Sequence, residues 1–324
     1  MTFPVSQSVL DADALADELI KRYGLKGDVR CRLLSRGMND IYRIGHQAGP
    51  HALKVARAGK STKTEFSYEQ DYVQHLSGQG IEVSSPVALL DGSMFFSVTA
   101  PEGQRHIVMM RWLEGVPYAG DFPEDDAFRM GAFLGRMHLS ASSFSSPHEK
   151  LVDSERKVRE RLPYLLAMVE PQSDDHEFLA RAAETVLEQL GSSDWKNIPR
   201  GPCHGDLQCA NIMKLAFGGL GAFDFSDCGH DPLVKDIAAF NWRNDFDDRP
   251  QAVNQSFVDG YDSIRRLSDS ERAVLPLFRV LRHIFITSTM AQYVNHIGPV
   301  VGFDRKLDFY FDMLRRYCRE AGIV

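Results

Sequence analysis

A short polar segment, residues 201–228, constrains the fold of this chain more than any other feature. It contains two clusters of polar side chains separated by a strand-like stretch. The first cluster reads Cys203-His204-Gly205-Asp206-Leu207-Gln208-Cys209-Ala210-Asn211, and the second reads Ala222-Phe223-Asp224-Phe225-Ser226-Asp227. Because long helical patterns precede and follow it, the segment is predicted to form short strands and loops that hold these side chains in place.

The first third of the chain differs in periodicity from the remainder. Up to about residue 110, short strand patterns alternate with two helical ones. The strands are predicted within 29–54, at 94–98 and at 106–110, and the helices at 11–23 and 62–76. Helical spacing then dominates, at 124–142, 153–169, 174–190, 233–244, 251–266, 270–294 and 304–320. These patterns predict an α+β protein, in which an antiparallel sheet with one internal helix precedes a mainly helical part.

The change in pattern predicts two lobes joined by a connector. The first lobe would comprise residues 1–110, the connector 111–117 and the helical second lobe 118–324. A length of 324 residues agrees with this division, since domains typically have about 100–200 residues.

The composition argues against several classes of protein. Lys and Arg number 37 and Asp and Glu 44, so the net charge of −7 argues against general binding to nucleic acid or anionic membranes. The start of the chain has neither the basic nor the apolar part of a secretory signal. The apolar stretch 274–290 contains Arg279, Arg282 and His283, and is predicted to be too polar and too short to span a membrane. We therefore expect a cytoplasmic protein.

The two polar clusters have the spacing of a phosphoryl-transfer site. The kinase catalytic loop reads H-R-D-L-x-x-x-N and is followed by D-F-G, whereas here H-G-D-L-x-x-x-N begins at His204 and D-F-S at Asp224. Upstream, His51-Ala52-Leu53-Lys54 has the form of a strand that ends in a phosphate-pairing lysine. A helix carrying Glu65 and Glu69 follows it, and these acids share one helix face.

This set of residues suits phosphoryl transfer because the reaction needs positioning and charge neutralisation more than covalent help. A carboxylate must face the acceptor hydroxyl and take its proton, which suits Asp206. An amide oxygen and a second carboxylate must hold Mg²⁺ against the phosphates, which suits Asn211 and Asp224. A lysine must meet the phosphates and an acid must hold that lysine, which suits Lys54 and Glu69.

The chain resembles the aminoglycoside phosphotransferase superfamily, which includes choline kinases, type II homoserine kinases and a stress-response Ser/Thr kinase. The resemblance covers about residues 28–320. It rests on the motifs LSRGMNDIYRI, HALKV, GIEVSSPV, MMRWLEGVP, GPCHGDLQCANIM and FDFSDCGHDPLVKDIAAF. It implies a bilobal protein-kinase-like fold, with glycine in the catalytic loop where protein kinases have arginine, which Gly205 matches.

The resemblance also implies a role for each matching residue. It implies that Asp206 is the catalytic base, that Asn211 and Asp224 bind Mg²⁺, that Lys54 binds the ATP phosphates and that Glu69 pairs with Lys54. It implies that Asp236 is a buried aspartate bracing the catalytic loop. The adenine ring would be bound by Met110, the carbonyl of Arg111 and the amide of Leu113, and phosphate would be contacted by Ser35 and the backbone around Gly37.

The predicted function is transfer of the γ-phosphoryl group from ATP, or GTP, to a hydroxyl of a small molecule resembling an aminoglycoside, an amino alcohol or homoserine. Acidic segments at 121–126 and 245–248 slightly favour a cationic acceptor. A protein Ser/Thr kinase is less favoured, because only 11 residues separate Asp224 from Asp236 and leave little room for a peptide platform. A catalytically silent nucleotide-binding module is a third possibility, although it would usually lack the Asp, Asn or Lys that this chain retains.

Overall fold

A computed structural model describes residues 3–191, 197–297 and 307–323 of the chain. Its helices are α1 (Ala12–Tyr23), α2 (Lys63–Gly78), α3 (Glu124–Ala141), α4 (Ser154–Leu166), α5 (Asp174–Gly191), α6 (Val234–Phe246), α7 (Gln251–Asp262), α8 (Asp269–Ile297) and α9 (Leu307–Glu320). Its strands are β1 (Arg30–Arg36), β2 (Asn39–His46), β3 (Gly49–Ala56), β4 (Phe96–Ala100), β5 (Gly103–Arg111), β6 (Gly115–Pro117), β7 (Arg200–Cys203), β8 (Ile212–Leu215), β9 (Leu220–Ala222) and β10 (Gly229–Pro232).

The chain forms two compact units. The first comprises Met1–Pro117, Ser143–Lys150 and Met213–Ser226, and the second comprises Tyr118–Ser142, Leu151–Ile212 and Asp227–Val324. These units differ from the predicted lobes, which assigned 143–150 and 213–226 to the second lobe. Backbone pairing explains the difference for 213–226, since β8 pairs with β6 and the Ala222 amide donates to the Glu82 carbonyl at 2.9 Å. Asp224 therefore belongs to the same unit as Lys54.

The first unit contains the predicted antiparallel sheet, with strand order β1-β2-β3-β5-β4. Alternation along β3 sends successive side chains to opposite faces. Leu53 and Val55 pack in one core cluster with residues of α1, whereas Ala56 packs with Phe66 of α2 in another. Lys54, two residues before Ala56, therefore lies on the face of the sheet that packs against α2. The alternation along this strand thus brings the lysine to α2 rather than to α1.

The polar residues Ser35-Arg36-Gly37-Met38-Asn39-Asp40 predict a turn between two strands, and the structure shows a shorter one. β1 continues to Arg36 and β2 begins at Asn39, so only two residues separate the strands. Asp40 lies within β2, where it is completely buried and pairs with Arg105 at 2.7 Å. A buried carboxylate is costly without such a partner, which explains why this residue is fixed in the sheet rather than in an open turn.

The second unit is mainly helical, as predicted. α3 and α7 approach each other at two glycines. A Cβ on Gly131 would lie 1.8 Å from the carbonyl oxygen of Phe257, and a Cβ on Gly260 would lie 1.9 Å from that of Phe128. The absence of a side chain at both positions is therefore what allows the two backbones to meet. Of the predicted helix 304–320, residues 304–306 lie outside the described residues and the rest is α9.

Helix α8 brings charged side chains into the second unit. Its Asp269–Gln292 part is long and apolar enough to cross a membrane by length and composition, a test that core helices also pass. The prediction concerned residues 274–290, and this longer part of the helix does not bear out its argument from length and polarity. In the structure α8 packs against α4, α6 and α9, and Arg279 pairs with Asp245.

Candidate active site

In the first unit, Lys54 and Glu69 form a buried ion pair. Lys54 Nζ lies 2.5 Å from Glu69 Oε1, and the two side chains are 5% and 3% exposed. Glu65, four residues earlier on α2, instead completes a capping box, in which its carboxylate accepts from the Thr62 amide at 2.8 Å. Of the two acids on this helix face, Glu69 therefore holds the lysine and Glu65 holds the start of the helix.

Ser226 links this lysine to Asp224. Its Oγ accepts hydrogen bonds from Lys54 Nζ at 2.8 Å and Asn39 Nδ2 at 3.0 Å, and donates to Asp224 Oδ1 at 2.6 Å. The hydroxyl thus uses its one donor and both lone pairs. Asp224 is exposed and has a φ of 62°, in the left-handed region that few residues other than glycine adopt. The network ties an exposed carboxylate to a buried ammonium through one hydroxyl.

The residues predicted to bind adenine lie at the end of β5 and just beyond it. Met110 is buried in the sheet, paired with Ala52 of β3. The Arg111 carbonyl accepts a hydrogen bond from Ser84 Oγ at 2.8 Å and keeps a second lone pair for another donor. Leu113 packs in a small apolar cluster with Met213 and its neighbours. This stretch thus offers an apolar surface and one backbone acceptor.

The residues predicted to contact phosphate lie at the short turn between β1 and β2. Ser35 is exposed near the end of β1. The Gly37 amide donates to the Asn39 carbonyl at 3.1 Å, and the Gly37 carbonyl accepts from the Arg57 guanidinium at 3.1 Å. The turn is therefore held by the protein itself, and the phosphate contacts of Ser35 and Gly37 stay predictions.

In the second unit, Asp206 is held through both of its carboxylate oxygens. Asn211 Nδ2 donates to the Asp206 backbone carbonyl at 2.8 Å and to Oδ2 at 3.2 Å. The guanidinium of Arg282, a residue of α8 that is almost fully buried, pairs with Oδ1. The structure thus brings the predicted base together with one predicted metal ligand, and adds an arginine that the motif does not contain.

The loop before Asp206 is braced by Asp236. Asp236 accepts hydrogen bonds from the backbone amides of His204 and Gly205, both at 2.7 Å, and from His138 Nε2 at 3.1 Å. Burial alone would raise the pKa of Asp236, but these hydrogen bonds and the neighbouring imidazoles outweigh it and keep the pKa below its ordinary value. Gly205 has a φ of 85°, and a Cβ there would lie 2.0 Å from the Asp227 carbonyl oxygen, so only glycine fits.

Sequence reasoning missed three polar residues of these two sites. Arg282 lies on an ordinary helical pattern far from the motif, and nothing in the sequence signals its pairing. Asn39 lies within the LSRGMNDIYRI motif but was not singled out; it is buried, and its Oδ1 has no hydrogen-bond partner in the described part of the chain. Ser226 was visible as the departure from D-F-G, which could have directed attention to its hydroxyl.

Comparison with known proteins identifies the family. The model of the phosphotransferase enzyme family matches residues 30–272, which is about three quarters of the chain. The chain belongs to this family. The resemblance drawn from the motifs is confirmed, as is the predicted class of enzyme, a phosphotransferase acting on an alcohol group.

Several relatives of this phosphotransferase have names that describe an activity. Amicoumacin kinase of Bacillus subtilis is 24% identical over 93% of this chain and 94% of its own length. A homoserine kinase of Neisseria meningitidis is 27% identical over 78% of this chain and 80% of its own length.

Solved structures confirm the kinase-like fold. The amicoumacin kinase hAmiN, in complex with AMP-PNP, Ca²⁺ and Ami, has a TM-score of 0.74 at 22% identity and covers 96% of this chain and 93% of its own. A microcompartment-associated aminopropanol kinase has a TM-score of 0.74 at 21% identity, with 96% of each chain covered.

Proposed function

We propose that this protein transfers the γ-phosphoryl group of ATP to a hydroxyl group of a small molecule, with Mg²⁺ as cofactor. The observation that carries the proposal is the buried Lys54–Glu69 pair, tied through Ser226 to the exposed Asp224. A buried ion pair contributes little net stability compared with well-packed apolar residues. The position of this lysine is therefore best explained by a negatively charged ligand that it binds. The phosphates of a nucleotide are such a ligand.

Asp206 would act on the acceptor in this reaction. Its carboxylate orients the acceptor hydroxyl and takes its proton, a P–O bond forms to that oxygen, and the bond between the γ-phosphorus and the departing ADP oxygen breaks. Arg282 and Asn211 hold the carboxylate from two sides. The brace from Asp236 fixes the backbone before it. Such positioning is the main contribution that a protein makes to phosphoryl transfer.

Side-chain oxygens suited to Mg²⁺ are present in both units. Asp224 offers an exposed carboxylate and Asn211 an amide oxygen, which are ligands that this hard cation prefers. The unpartnered Asn39 Oδ1 fits the same chemistry, because a buried amide oxygen without a partner is costly unless it meets a cation or a donor. When bound, Mg²⁺ would neutralise charge on the phosphates.

The nucleotide would be held by the first unit. Met110 and Leu113 provide the apolar surface, and the backbone of Arg111 and Leu113 provides one acceptor and one donor for the base. The AMP-PNP complex of hAmiN supports ATP as the donor. Lys54 would bind the ATP phosphates, and the Ser35–Gly37 turn would be a further phosphate contact.

The acceptor would be a small molecule. The relatives are named for amicoumacin, homoserine and aminopropanol, all of which are small molecules and none of which is a protein or a nucleic acid. These names support the class of acceptor and leave its identity to experiment.

The test is release of ADP from ATP and Mg²⁺ in the presence of pooled hydroxyl acceptors. The pools are aminoglycosides, amino alcohols, hydroxy amino acids, nucleosides and sugars, with a generic protein substrate as comparison and Asp206→Asn as the blank. We expect one small-molecule pool to release ADP with the wild type and not with the blank. ADP release with the protein substrate alone, or silence together with no stabilisation of the fold by ATP, would contradict the proposal.

A further inference from the structure

A pocket in the second unit lies beside the loop that carries Asp206, and cationic side chains line it. Gly205 and Asp227 line its loop side, and Arg282 of α8 and Lys157 and Arg161 of α4 line its walls. The pocket is open to solvent, and Gly205 directly precedes Asp206 in the chain. This position beside the catalytic loop makes it the natural place for an acceptor.

Carboxylates of the second unit pair with two of the cations that line the pocket. Lys235 pairs with Asp231 at 2.9 Å, and Arg282 pairs with Asp206. Arg161 of α4 instead donates to a neutral amide oxygen, so its charge can attract an anionic group of a ligand.

The two cations on α4 share one face of that helix. Lys157 and Arg161 are four residues apart, and each lies over the ring of Phe285, at 5.2 and 5.4 Å from its centroid. Arg161 also donates to the side-chain oxygen of Gln292, a neutral partner. The acids of α4 pair elsewhere, in the ion pairs Arg156–Glu160 and Arg159–Glu155. The Arg161 guanidinium is therefore held by an aromatic ring and an amide. Neither of the two glutamates of α4 neutralises its charge, since both pair with other arginines.

We infer that this pocket binds an acceptor alcohol that carries an anionic group, a carboxylate or a phosphate, paired with Arg161 while its hydroxyl faces Asp206. The inference rests on the proposed function and specifies its acceptor. A guanidinium matches the planar oxygen pair of a carboxylate or phosphate. Val158, Phe278 and Leu281 also line the pocket and suit a short aliphatic spacer between the two groups.

This acceptor class differs from the cationic one that the acidic segments favoured. In the structure Asp245 is buried and pairs with Arg279 and Arg316, and Asp247 pairs with Arg243. Asp245 and Asp247 are thus already neutralised by arginines of their own unit. The expectation of a cationic acceptor loses its basis there, whereas α4 supplies positive charge at the pocket itself.

The test compares acceptors that differ only in charge. L-Homoserine carries both an amine and a carboxylate, 3-amino-1-propanol lacks the carboxylate, 4-hydroxybutanoate lacks the amine, and glycerol 3-phosphate with glycerol forms the phosphate arm. We expect kcat/KM to be at least about tenfold higher for acceptors with the anionic group, the effect of one charged hydrogen bond. Arg161→Gln should remove most of this preference. Arg159→Gln, on the exposed side of the same helix, is the matched control and should retain it.

The outcomes separate this inference from the proposed function. If 3-amino-1-propanol is used as well as or better than 4-hydroxybutanoate, or if the Arg161 and Arg159 variants behave alike, the anionic acceptor is excluded and the kinase stands. If no probe releases ADP, calorimetry with 4-hydroxybutanoate and glycerol 3-phosphate in the presence of AMP-PNP decides. Binding that Arg161→Gln abolishes would keep the pocket assignment and show that these probes are bound but not phosphorylated, and no binding would overturn the pocket assignment.

Discussion

At the scale of single residues, the serine at position 226 is the most informative departure from the kinase pattern. Protein kinases have glycine at this position, which has no side chain to offer. Here the Ser226 hydroxyl joins Lys54, Asn39 and Asp224 in one network. It supplies a partner for the buried ammonium and fixes the direction of an exposed carboxylate. With glycine at this position, only the backbone could orient the carboxylate of Asp224. In this chain the serine hydroxyl contributes to that orientation.

Removing this hydroxyl should impair catalysis more than folding. In Ser226→Gly we expect kcat with ATP and Mg²⁺ to fall by about tenfold, because one hydrogen bond that positions Asp224 is lost. The free energy of unfolding should change by no more than about 1 kcal/mol, since the Lys54–Glu69 pair remains. Steady-state kinetics and urea unfolding measure the two effects. Ser226→Thr keeps the hydroxyl and is the control, and full activity of Ser226→Gly would show that the network is dispensable.

At the scale of secondary-structure elements, the second unit depends on how closely α3 and α7 approach. Gly131 lies on α3 and Gly260 on α7, and a methyl group at either would overlap a carbonyl oxygen of the other helix. Backbone atoms cannot move aside as a flexible side chain can. These glycines therefore fix the distance between two helices of the unit that also carries Asp206.

Gly131→Ala should destabilise the protein although alanine is the better helix former. We expect a loss of about 1–3 kcal/mol in the free energy of unfolding, the usual cost of overpacking. Gly78→Ala at the end of α2 is the matched control, because a Cβ there has nothing within 4 Å. The control should be neutral or slightly stabilising, since alanine is favoured in helices. Equal urea midpoints for the two variants would contradict the close approach of α3 and α7.

At the scale of the whole molecule, one buried histidine should make stability depend on pH. His283 on α8 is fully buried, and its Nδ1 accepts a hydrogen bond from Trp242 Nε1 at 3.1 Å. Burial lowers its pKa to about 3; a hydrogen bond with the Tyr310 backbone opposes this, and the Arg316 charge adds to it. In the unfolded chain the pKa is about 6.5. Below that pH the unfolded state binds a proton that the folded state does not, so stability falls as the pH drops from about 6.5 towards 3.

Between pH 7.5 and pH 5 this histidine should account for about 2 kcal/mol of lost stability. His283→Gln keeps an acceptor for Trp242 but does not titrate in this range, so its free energy of unfolding should fall less over the same interval. Urea unfolding of both proteins at several pH values measures the difference, and carboxylates common to both cancel in it. The same pH dependence in both proteins would show that His283 is protonated in the folded state or exposed to solvent.

The sequence predicted the residues that recur in a motif and missed those whose partners are distant in sequence. Asp206 could be found from the spacing of the catalytic-loop motif and Lys54 from the form of its strand, whereas Asp236 was implied by the resemblance to the family. The resemblance implied Glu69 rather than Glu65 as the partner of Lys54, and the structure gives the physical reason, because Glu65 completes the capping box with Thr62 while Glu69 meets the lysine. Local periodicity carries no information about which of two equivalent acids meets a strand on another element.

The same local signals predicted the class of fold. They did not predict the boundaries of the two units, which depend on pairing between distant strands. Strands and helices with clear periodicity were found, including the sheet and the helical second part. The assignment of 213–226 to the helical lobe differs from the structure because β8 pairs with β6, a contact between residues about 100 positions apart. Arg282 and Arg161 lie on ordinary helical patterns, so their positions beside the catalytic loop and the pocket could not be read from spacing.

The measurement that tests the central claim most directly separates turnover from nucleotide binding in Asp206→Asn. The claim is that Asp206 acts on the acceptor, whereas Lys54 and Asp224 act on the nucleotide. We therefore expect turnover to fall by about 100- to 10,000-fold while the affinity for ATP with Mg²⁺ stays within about threefold of the wild type. Asparagine can still accept from Arg282, which protects the fold. Glu184→Gln makes the same change of charge at an exposed position of α5 and is the control that should keep activity. Loss of ATP binding together with turnover, or turnover that survives the substitution, would contradict the account.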